Sequence, residues 1–298
     1  MLRTGSVIDG KYKILSEIGR GGMSTVYLAI NERANKPWAV KEVRKICNKD
    51  CEVLRQSLIA ETELLKRLRH PNLPSIADVI DHDGSFLIVM DYIEGNTLEK
   101  HISETGAQTQ EDVVSWALQL CSVLEYLHSR PIPIIYRDMK PSNIMLRSDG
   151  SVVLIDFGTA REFKERNVAD TVCLGTQGYA APEQFGGMGQ TDARTDIYCL
   201  GATMYHLLTG HNPSRPPYEM YPITEWDSGL SSGLEQIILR CTQKNPDERY
   251  PDVRALRCAL ERYHDFEAQA QRRYRGRLRL FLATAGLSVL CAAAGSGL

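Results

Sequence analysis

Hydrophobic periodicity changes along this chain in a way that limits the fold more than any other feature. Residues 11–46 alternate apolar and polar positions, in the runs Tyr12 to Ile18, Thr25 to Ile30 and Trp38 to Val43, separated by Gly-rich and Asn/Lys/Pro turns. That alternation predicts an antiparallel meander. Residues 52–69 switch to helical spacing, with Leu54, Leu58, Leu64, Leu65 and Leu68 on one stripe, and His70-Pro71-Asn72 stops the helix. Phe86 to Tyr92 returns to a strand. Beyond Glu94-Gly95-Asn96 the spacing is mostly helical, over residues 111–128, 195–209, 232–242 and 252–271. Short strands at Ile144–Leu146 and Val152–Ile155 flank Asp149-Gly150, which reads as a two-residue hairpin turn. A sheet-rich part joined to a helix-rich part predicts an α+β fold of two lobes with a cleft at the joint.

The chemistry is concentrated in Tyr136-Arg137-Asp138-Met139-Lys140-Pro141-Ser142-Asn143, followed by Asp156-Phe157-Gly158. These residues supply two carboxylates, an amine and an amide. Phosphoryl transfer asks for that set: a base for the hydroxyl, oxygen ligands for metal and cations for developing charge. The rest of the composition narrows the alternatives. Thirty-five basic against thirty-seven acidic residues give a formal net charge of −2, which argues against nucleic acid as the partner. The eight cysteines form no CxxC pair and no Cys/His cluster of zinc spacing, so they read as scattered thiols of a reduced, cytosolic body.

Gly19-Arg20-Gly21-Gly22-Met23-Ser24 lies between two strand-like runs. A dinucleotide fold would need this loop to open a helix, whereas Thr25-Val26-Tyr27-Leu28 is strand-like, which favours a hairpin whose amides lie over phosphates. A plain structural turn is the other reading. Val40-Lys41 sits in the next strand. A lysine on an inward face needs a partner, and Glu61 on the following helix is the candidate; the alternative is a lysine on a solvated face.

Taken in order, these motifs resemble the eukaryotic-type (Hanks-type) serine/threonine protein kinases, and among them the bacterial membrane-anchored members. The resemblance runs over roughly residues 11–263. It rests on the Gly-rich loop, Ala39-Val40-Lys41, Glu61 ahead of His70-Pro71-Asn72, Tyr136-Arg137-Asp138 with Asn143, and Asp156-Phe157-Gly158. It continues through Gly175-Thr176, Ala181-Pro182-Glu183, Asp196 before Leu200-Gly201, and Arg249. It implies a bilobal kinase fold with a β-rich lobe at 11–93 and an α-rich lobe at 94–264.

The resemblance also implies a role for each matching position. Asp138 is the expected base and Lys140 the cation beside the transferred group. Lys41, held by Glu61, is expected on the α- and β-phosphates of ATP, with Asn143 and Asp156 as ligands of Mg2+ or, alternatively, Mn2+. Ile18, Gly19, Gly21, Gly22, Val26 and Ala39 complete the nucleotide site, with Met90 at the gatekeeper position and Asp91 and Ile93 offering backbone to adenine. Lys140 and Thr176 point to Ser/Thr rather than Tyr acceptors in protein substrates. Arg137, directly before the base, implies activation by a phosphate on the loop 159–180, with Thr171 as the preferred acceptor; a solvent-exposed loop threonine is the plainer reading. Transient self-association for trans-autophosphorylation follows. Glu183 and Arg249 are expected as a buried ion pair, and Asp196 as a brace beneath the catalytic loop.

Two positions depart from the family pattern. Tyr136 stands where many members have His, and Ser24 replaces the third glycine of the loop; neither removes a catalytic group. A catalytically silent nucleotide-binding scaffold is the rival reading of the whole.

The C-terminal stretch Leu280–Leu298 carries no charge and follows Arg272, Arg273, Arg275, Arg277 and Arg279. As a helix it would span about 28 Å, close to the hydrocarbon core of a bilayer. A single transmembrane helix over 280–298 is expected, after a basic juxtamembrane segment at 265–279. The arginines then keep residues 1–279 on the cytoplasmic face of the cell membrane. A terminal helix packed on the domain, or an apolar disordered end, is the alternative. Residues 1–10 contain no apolar run, so no signal peptide is expected.

Overall fold

The computed structural model describes residues 1–20, 24–44, 66–82, 85–157, 161–162, 175–185 and 190–265. Gly21, Gly22, Glu61, Thr171, most of the helix expected at 52–69 and the stretch 266–298 with its expected span lie outside the described residues.

The first lobe is a six-stranded antiparallel sheet in the order β1-β2-β3-β4-β6-β5, with β1 Val7–Ile8, β2 Tyr12–Arg20, β3 Ser24–Asn31, β4 Lys36–Arg44, β5 Ile76–His82 and β6 Ser85–Asp91. Its register follows from the alternation. Tyr27 pairs with Val40, and Val40 with Val89; Ile14 pairs with Ala29. These residues share one face and form a small core with Ile8, Tyr12 and Leu87. The opposite face carries Val26 opposite Lys41 opposite Ile88, and Leu28 opposite Ala39 opposite Met90. Because successive residues of a strand point to opposite faces, burying Val40 on the outer side turns Ala39 and Lys41 to the other.

The second lobe is helical: α1 Leu98–Thr105, α2 Gln110–His128, α3 Ala193–Thr209, α4 Ile223–Trp226, α5 Ser232–Cys241 and α6 Val253–Glu261. Thirteen of the seventeen residues of α3 are buried, so it is wrapped on all sides and forms the axis of the lobe. Asp192 caps its N-terminus on Arg194 N–H, and Gly210, with φ +72, closes its C-terminus. Gly201 lets α5 approach: a Cβ there would sit 2.5 Å from the Cys241 Cβ.

Short strands sit at the joint of the lobes: β7 Asn96–Thr97, β8 Ile134–Ile135, β9 Ile144–Leu146, β10 Val152–Leu154 and β11 Arg161–Glu162. They pair as β10-β9-β7 and β11-β8. Among the described residues no helix is long and apolar enough to cross a membrane.

Three expectations change. The β9–β10 connection is a five-residue loop rather than a two-residue turn, because Gly150 N–H bonds to Arg147 C=O and Arg147 N–H to Ser151 C=O. Gly150, with φ +80, takes the left-handed position after Ser148-Asp149 instead of forming the turn's centre with Asp149. The final helix is interrupted after Glu261, since Arg262 leaves helical backbone at φ −123 and bonds back to Ala259, before helical backbone resumes over 263–265; the rest of the expected 252–271 lies outside the described residues. Helix α1 and strand β5 have no counterpart in the sequence reading.

Candidate active site

The chain enters the site from β8, whose Ile134 and Ile135 are buried, and leaves it through a short 3-10 turn, Pro141–Asn143, into β9. Pro141 suits the first position of that turn because its fixed φ is already helical. Between them Tyr136 and Met139 are fully buried. Thr203 Oγ1 of α3 donates to Met139 C=O (3.0 Å).

Asp138 is the centre of a compact network. Its Oδ2 accepts from Lys140 Nζ (2.9 Å) and Asn143 Nδ2 (2.9 Å), and its Oδ1 accepts from Thr176 Oγ1 (2.9 Å). Lys140 Nζ also donates to Thr176 Oγ1 (2.5 Å), and Asn143 Nδ2 to the Asp138 C=O (2.9 Å). Thr176, read in the sequence with Lys140 as a sign of Ser/Thr acceptors, thus touches both the expected base and its cation. The two acceptors on Asp138 fix the Asn143 amide nitrogen toward it, so the Asn143 Oδ1 faces the other way.

Asp156 follows β10 with φ +65, a left-handed backbone rare for a residue with a side chain. Its carboxylate is 43% exposed and Oδ1 accepts from Lys41 Nζ at 2.5 Å, while Lys41 is only 14% exposed. Lys41 therefore reaches across the cleft from β4 to the chain after β10. Ile155 N–H donates to Asn143 C=O (2.8 Å), tying the backbones of Asn143 and Asp156 together. The Asn143 Oδ1 and the Asp156 carboxylate are hard oxygen donors, as Mg2+ prefers, and that ion commonly takes one or two protein ligands alongside phosphates and waters. The donor set fits.

Tyr136 replaces the imidazole of the family pattern with a ring and a hydroxyl. The ring meets Phe157 edge to face at 5.3 Å, and the hydroxyl donates to Ile155 C=O at 2.5 Å. Burial, then the charges of Asp156, Asp138 and Asp196, raise its pKa well above the ordinary phenol value, so it remains a donor.

The strain of the loop is held from below. Arg137 has φ +69 and is 4% exposed. Asp196, fully buried on α3, accepts Arg137 N–H on Oδ1 (2.7 Å), and Tyr136 N–H (2.9 Å) and His128 Nε2 (2.8 Å) on Oδ2. A carboxylate only accepts, so His128 carries its proton on Nε2. Arg249 pairs in a bidentate manner with Glu183, at 2.7 and 2.9 Å, and spends its remaining donors on the Gln243, Arg194 and Lys244 carbonyls.

The nucleotide side is placed by the sheet. Gly19 pairs with Val26, which stands beside Lys41, and Ala39 stands beside Met90. Ile18 is 46% exposed at the mouth. Asp91 is anchored by Lys36 Nζ (2.9 Å) and by Ser75 N–H (3.0 Å). Burial raises its carboxyl pKa, but these donors outweigh it and the net shift is downward. Ile93 is buried just beyond.

The sequence reading missed three contributors. His128 carried no motif. The value of the Tyr136 hydroxyl depends on Ile155, nineteen positions away. Gln184, 1% exposed, binds Ala181 N–H through Oε1 (2.9 Å) and Arg137 C=O through Nε2 (2.8 Å). Its one sequence signal is its position directly after Glu183.

Comparison with known proteins agrees with this geometry. Residues 12–258 match the family model described as protein kinase domain. The chain is 31% identical over 282 residues to the serine/threonine-protein kinase PrkC of Bacillus subtilis, covering 91% of this chain and 43% of that protein. It is 31% identical over 284 residues to the serine/threonine-protein kinase PknB of Mycobacterium tuberculosis, covering 89% and 45%. The chain thus spans less than half the length of these relatives. Among solved structures, the Mycobacterium tuberculosis PknI kinase domain superposes with a TM-score of 0.71 at 25% identity, covering 88% of this chain and 99% of that one. With its base loop, cross-cleft lysine and two-lobed fold matched from residue 12 to 258, the chain belongs to the protein kinase family, beside these Hanks-type bacterial serine/threonine kinases.

Proposed function

We propose that the chain is an ATP- and Mg2+-dependent kinase of serine and threonine hydroxyls in proteins. The observation that carries this reading is the network in which Asp138 is bound by Lys140, Asn143 and Thr176 at 2.9 Å each. In that arrangement Asp138 takes the hydroxyl proton while Lys140, held beside it, offsets the charge that develops on the transferred group. Lys41 orients the phosphates from the sheet side, and Asn143 and Asp156 would hold the metal. Bound there, Mg2+ supplies charge neutralisation between the phosphates. Val26, Ala39, Met90 and the Asp91–Ile93 backbone form the adenine side.

The test uses the full chain with labelled ATP, Mg2+ and myelin basic protein as a probe acceptor. Label is expected on the chain and on the probe. Asp138→Asn should retain ATP binding and lose at least about 100-fold in turnover. A chain that binds Mg·ATP yet transfers no label refutes the reading.

Regulation is part of the same proposal. Arg137, buried directly before the base, supports activation by a phosphate at Thr171, added in trans when two copies meet. Phosphosite mapping after incubation with ATP should find Thr171, and Thr171→Ala should lower the rate. The five arginines ahead of Leu280–Leu298 support a single membrane pass with the kinase on the cytoplasmic side. Release of the full chain from membranes by carbonate without detergent would overturn that placement.

A further inference from the structure

Gln184 lies where three segments of the site meet. Its Oε1 accepts from Ala181 N–H at 2.9 Å, and its own N–H donates back to Ala181 C=O at 2.9 Å. Its Nε2 donates to Arg137 C=O at 2.8 Å. A backbone N–H can only donate and a C=O only accept, so the amide's orientation is fixed by its partners. The third segment is Gly175, with φ +129: a Cβ there would stand 2.7 Å from Gln184 Nε2 and 2.8 Å from the Ala180 Cβ. Cys199 Sγ of α3 closes the fourth side at 3.5 Å from Oε1.

The backbone at Arg137 explains what this contact can do. A non-glycine residue at φ +69 costs about 1–3 kcal/mol and persists only where its surroundings hold it. Asp196 holds its N–H, and Gln184 holds its C=O. That C=O belongs to the peptide plane leading into Asp138, so its direction sets where the Asp138 carboxylate points. The same amide is fixed to the segment Gly175–Ala181, whose Thr176 hydroxyl touches Asp138 Oδ1.

We infer that Gln184 is a positioning residue of the transfer reaction, coupling the acceptor-side segment 175–181 to the orientation of the base. It touches neither substrate nor metal and acts through the Arg137–Asp138 peptide. The inference rests on the kinase reading above.

Two variants of the full chain test it, with myelin basic protein as acceptor. Gln184→Met keeps length and volume but loses the amide's hydrogen bonds to Ala181, Arg137 and Cys199. It should lower kcat by about 10- to 100-fold, as a misplaced catalytic group does, with KM for ATP within about twofold and the urea midpoint still showing a folded domain. Gln184→Glu keeps an acceptor for Ala181 N–H and sets a carboxylate oxygen against Arg137 C=O. Burial and the neighbouring carboxylates of Asp196, Asp138 and Glu183, which already act on Cys199 beside it, raise the pKa of such a group. When protonated, it donates to Arg137 C=O as the amide did. Its kcat relative to wild type should therefore rise as pH falls from 8 to 6, a readout that a merely structural role would leave flat. Variants with kcat within twofold of an active wild type, or a flat ratio for Gln184→Glu, overturn the inference alone. A wild-type chain that transfers nothing overturns the kinase reading and this inference with it.

Discussion

Replacing Tyr136 by Phe removes one oxygen from a fully buried side chain and leaves the ring against Phe157 in place. The losses include the hydrogen bond to Ile155 C=O, so the carbonyl just before Asp156 keeps its desolvation without this donor, and the hydroxyl's contact with the Asn143 side chain. A neutral hydrogen bond contributes about 0.5–1.5 kcal/mol net, and a buried acceptor left unsatisfied costs about 1–3 kcal/mol. Tyr136→Phe should therefore destabilise the domain by about 1–3 kcal/mol, lowering the melting temperature by roughly 2–4 °C per kcal/mol at this size. A second effect follows from position. Asp156 holds φ +65 between Ile155 and Phe157, and strain of that kind relaxes when its supports weaken. The apparent affinity for Mg2+ in the transfer assay should fall with the hydroxyl, while KM for the protein probe stays near its original value. Urea denaturation measures the first effect and Mg2+ titration of kcat the second. An unchanged midpoint together with an unchanged Mg2+ dependence would refute the reasoning that the hydroxyl holds the strand leading to Asp156.

Arg249→Met leaves Glu183 buried without its cation and should cost about 3–5 kcal/mol in urea denaturation, part of which Glu183→Gln in the same chain should restore. Gly201→Ala should destabilise by about 1–3 kcal/mol despite a helix-propensity gain near 1 kcal/mol, because α3 and α5 must part to admit the methyl group; an equal or higher urea midpoint would contradict that contact. His206 is 4% exposed and bonded through Nδ1 to Tyr179 at 2.6 Å; burial, then Arg215 and His211, bring its pKa down to about 4. Between pH 4 and the unfolded value near 6.5 the unfolded chain binds more protons, so stability falls as pH drops through that window. Wild type should lose about 2 kcal/mol between pH 7.5 and 5 that His206→Gln does not lose. Equal losses in urea midpoints would dispose of the effect.

Legibility differed between elements for physical reasons. The strands β2, β3, β4 and β6 could be read from the sequence, but the sequence alone leaves the face of Lys41 open; it follows once the row of Tyr27, Val40 and Val89 is seen buried on the outer side, which turns Val26, Ala39, Lys41 and Met90 to the other. Strand β5 escaped notice because Ile76–His82 is half exposed and mixes acidic and apolar residues. Helix α1 escaped because only Leu98 and Ile102 of its eight residues are buried, too few to show a stripe. Among the described residues, the partner of Lys41 was harder still: Asp156 is 115 positions away, and the topology of β9 and β10 brings it near. Gln184 was invisible for the opposite reason. A glutamine reads as surface, and only the fold shows it buried with its amide ends occupied.

The Asp138 network also decides which of its oxygens can act. A carboxylate offers about four lone-pair sites, two on each oxygen. Among the described residues, Oδ2 receives both Lys140 Nζ and Asn143 Nδ2, whereas Oδ1 receives Thr176 Oγ1 alone. An incoming hydroxyl in the proposed reaction would therefore meet Oδ1, beside the Thr176 side chain. The oxygen that takes the proton is then the one whose surroundings Gly175–Ala181 supply, while Lys140 and Asn143 hold the other oxygen still. That division gives the acceptor-side segment a direct hand in the chemistry: any displacement of Thr176 changes the space and the hydrogen bonding at Oδ1. It also explains why Arg137 is held at both its N–H and its C=O, since a rotation there would turn the Asp138 carboxylate away from Thr176.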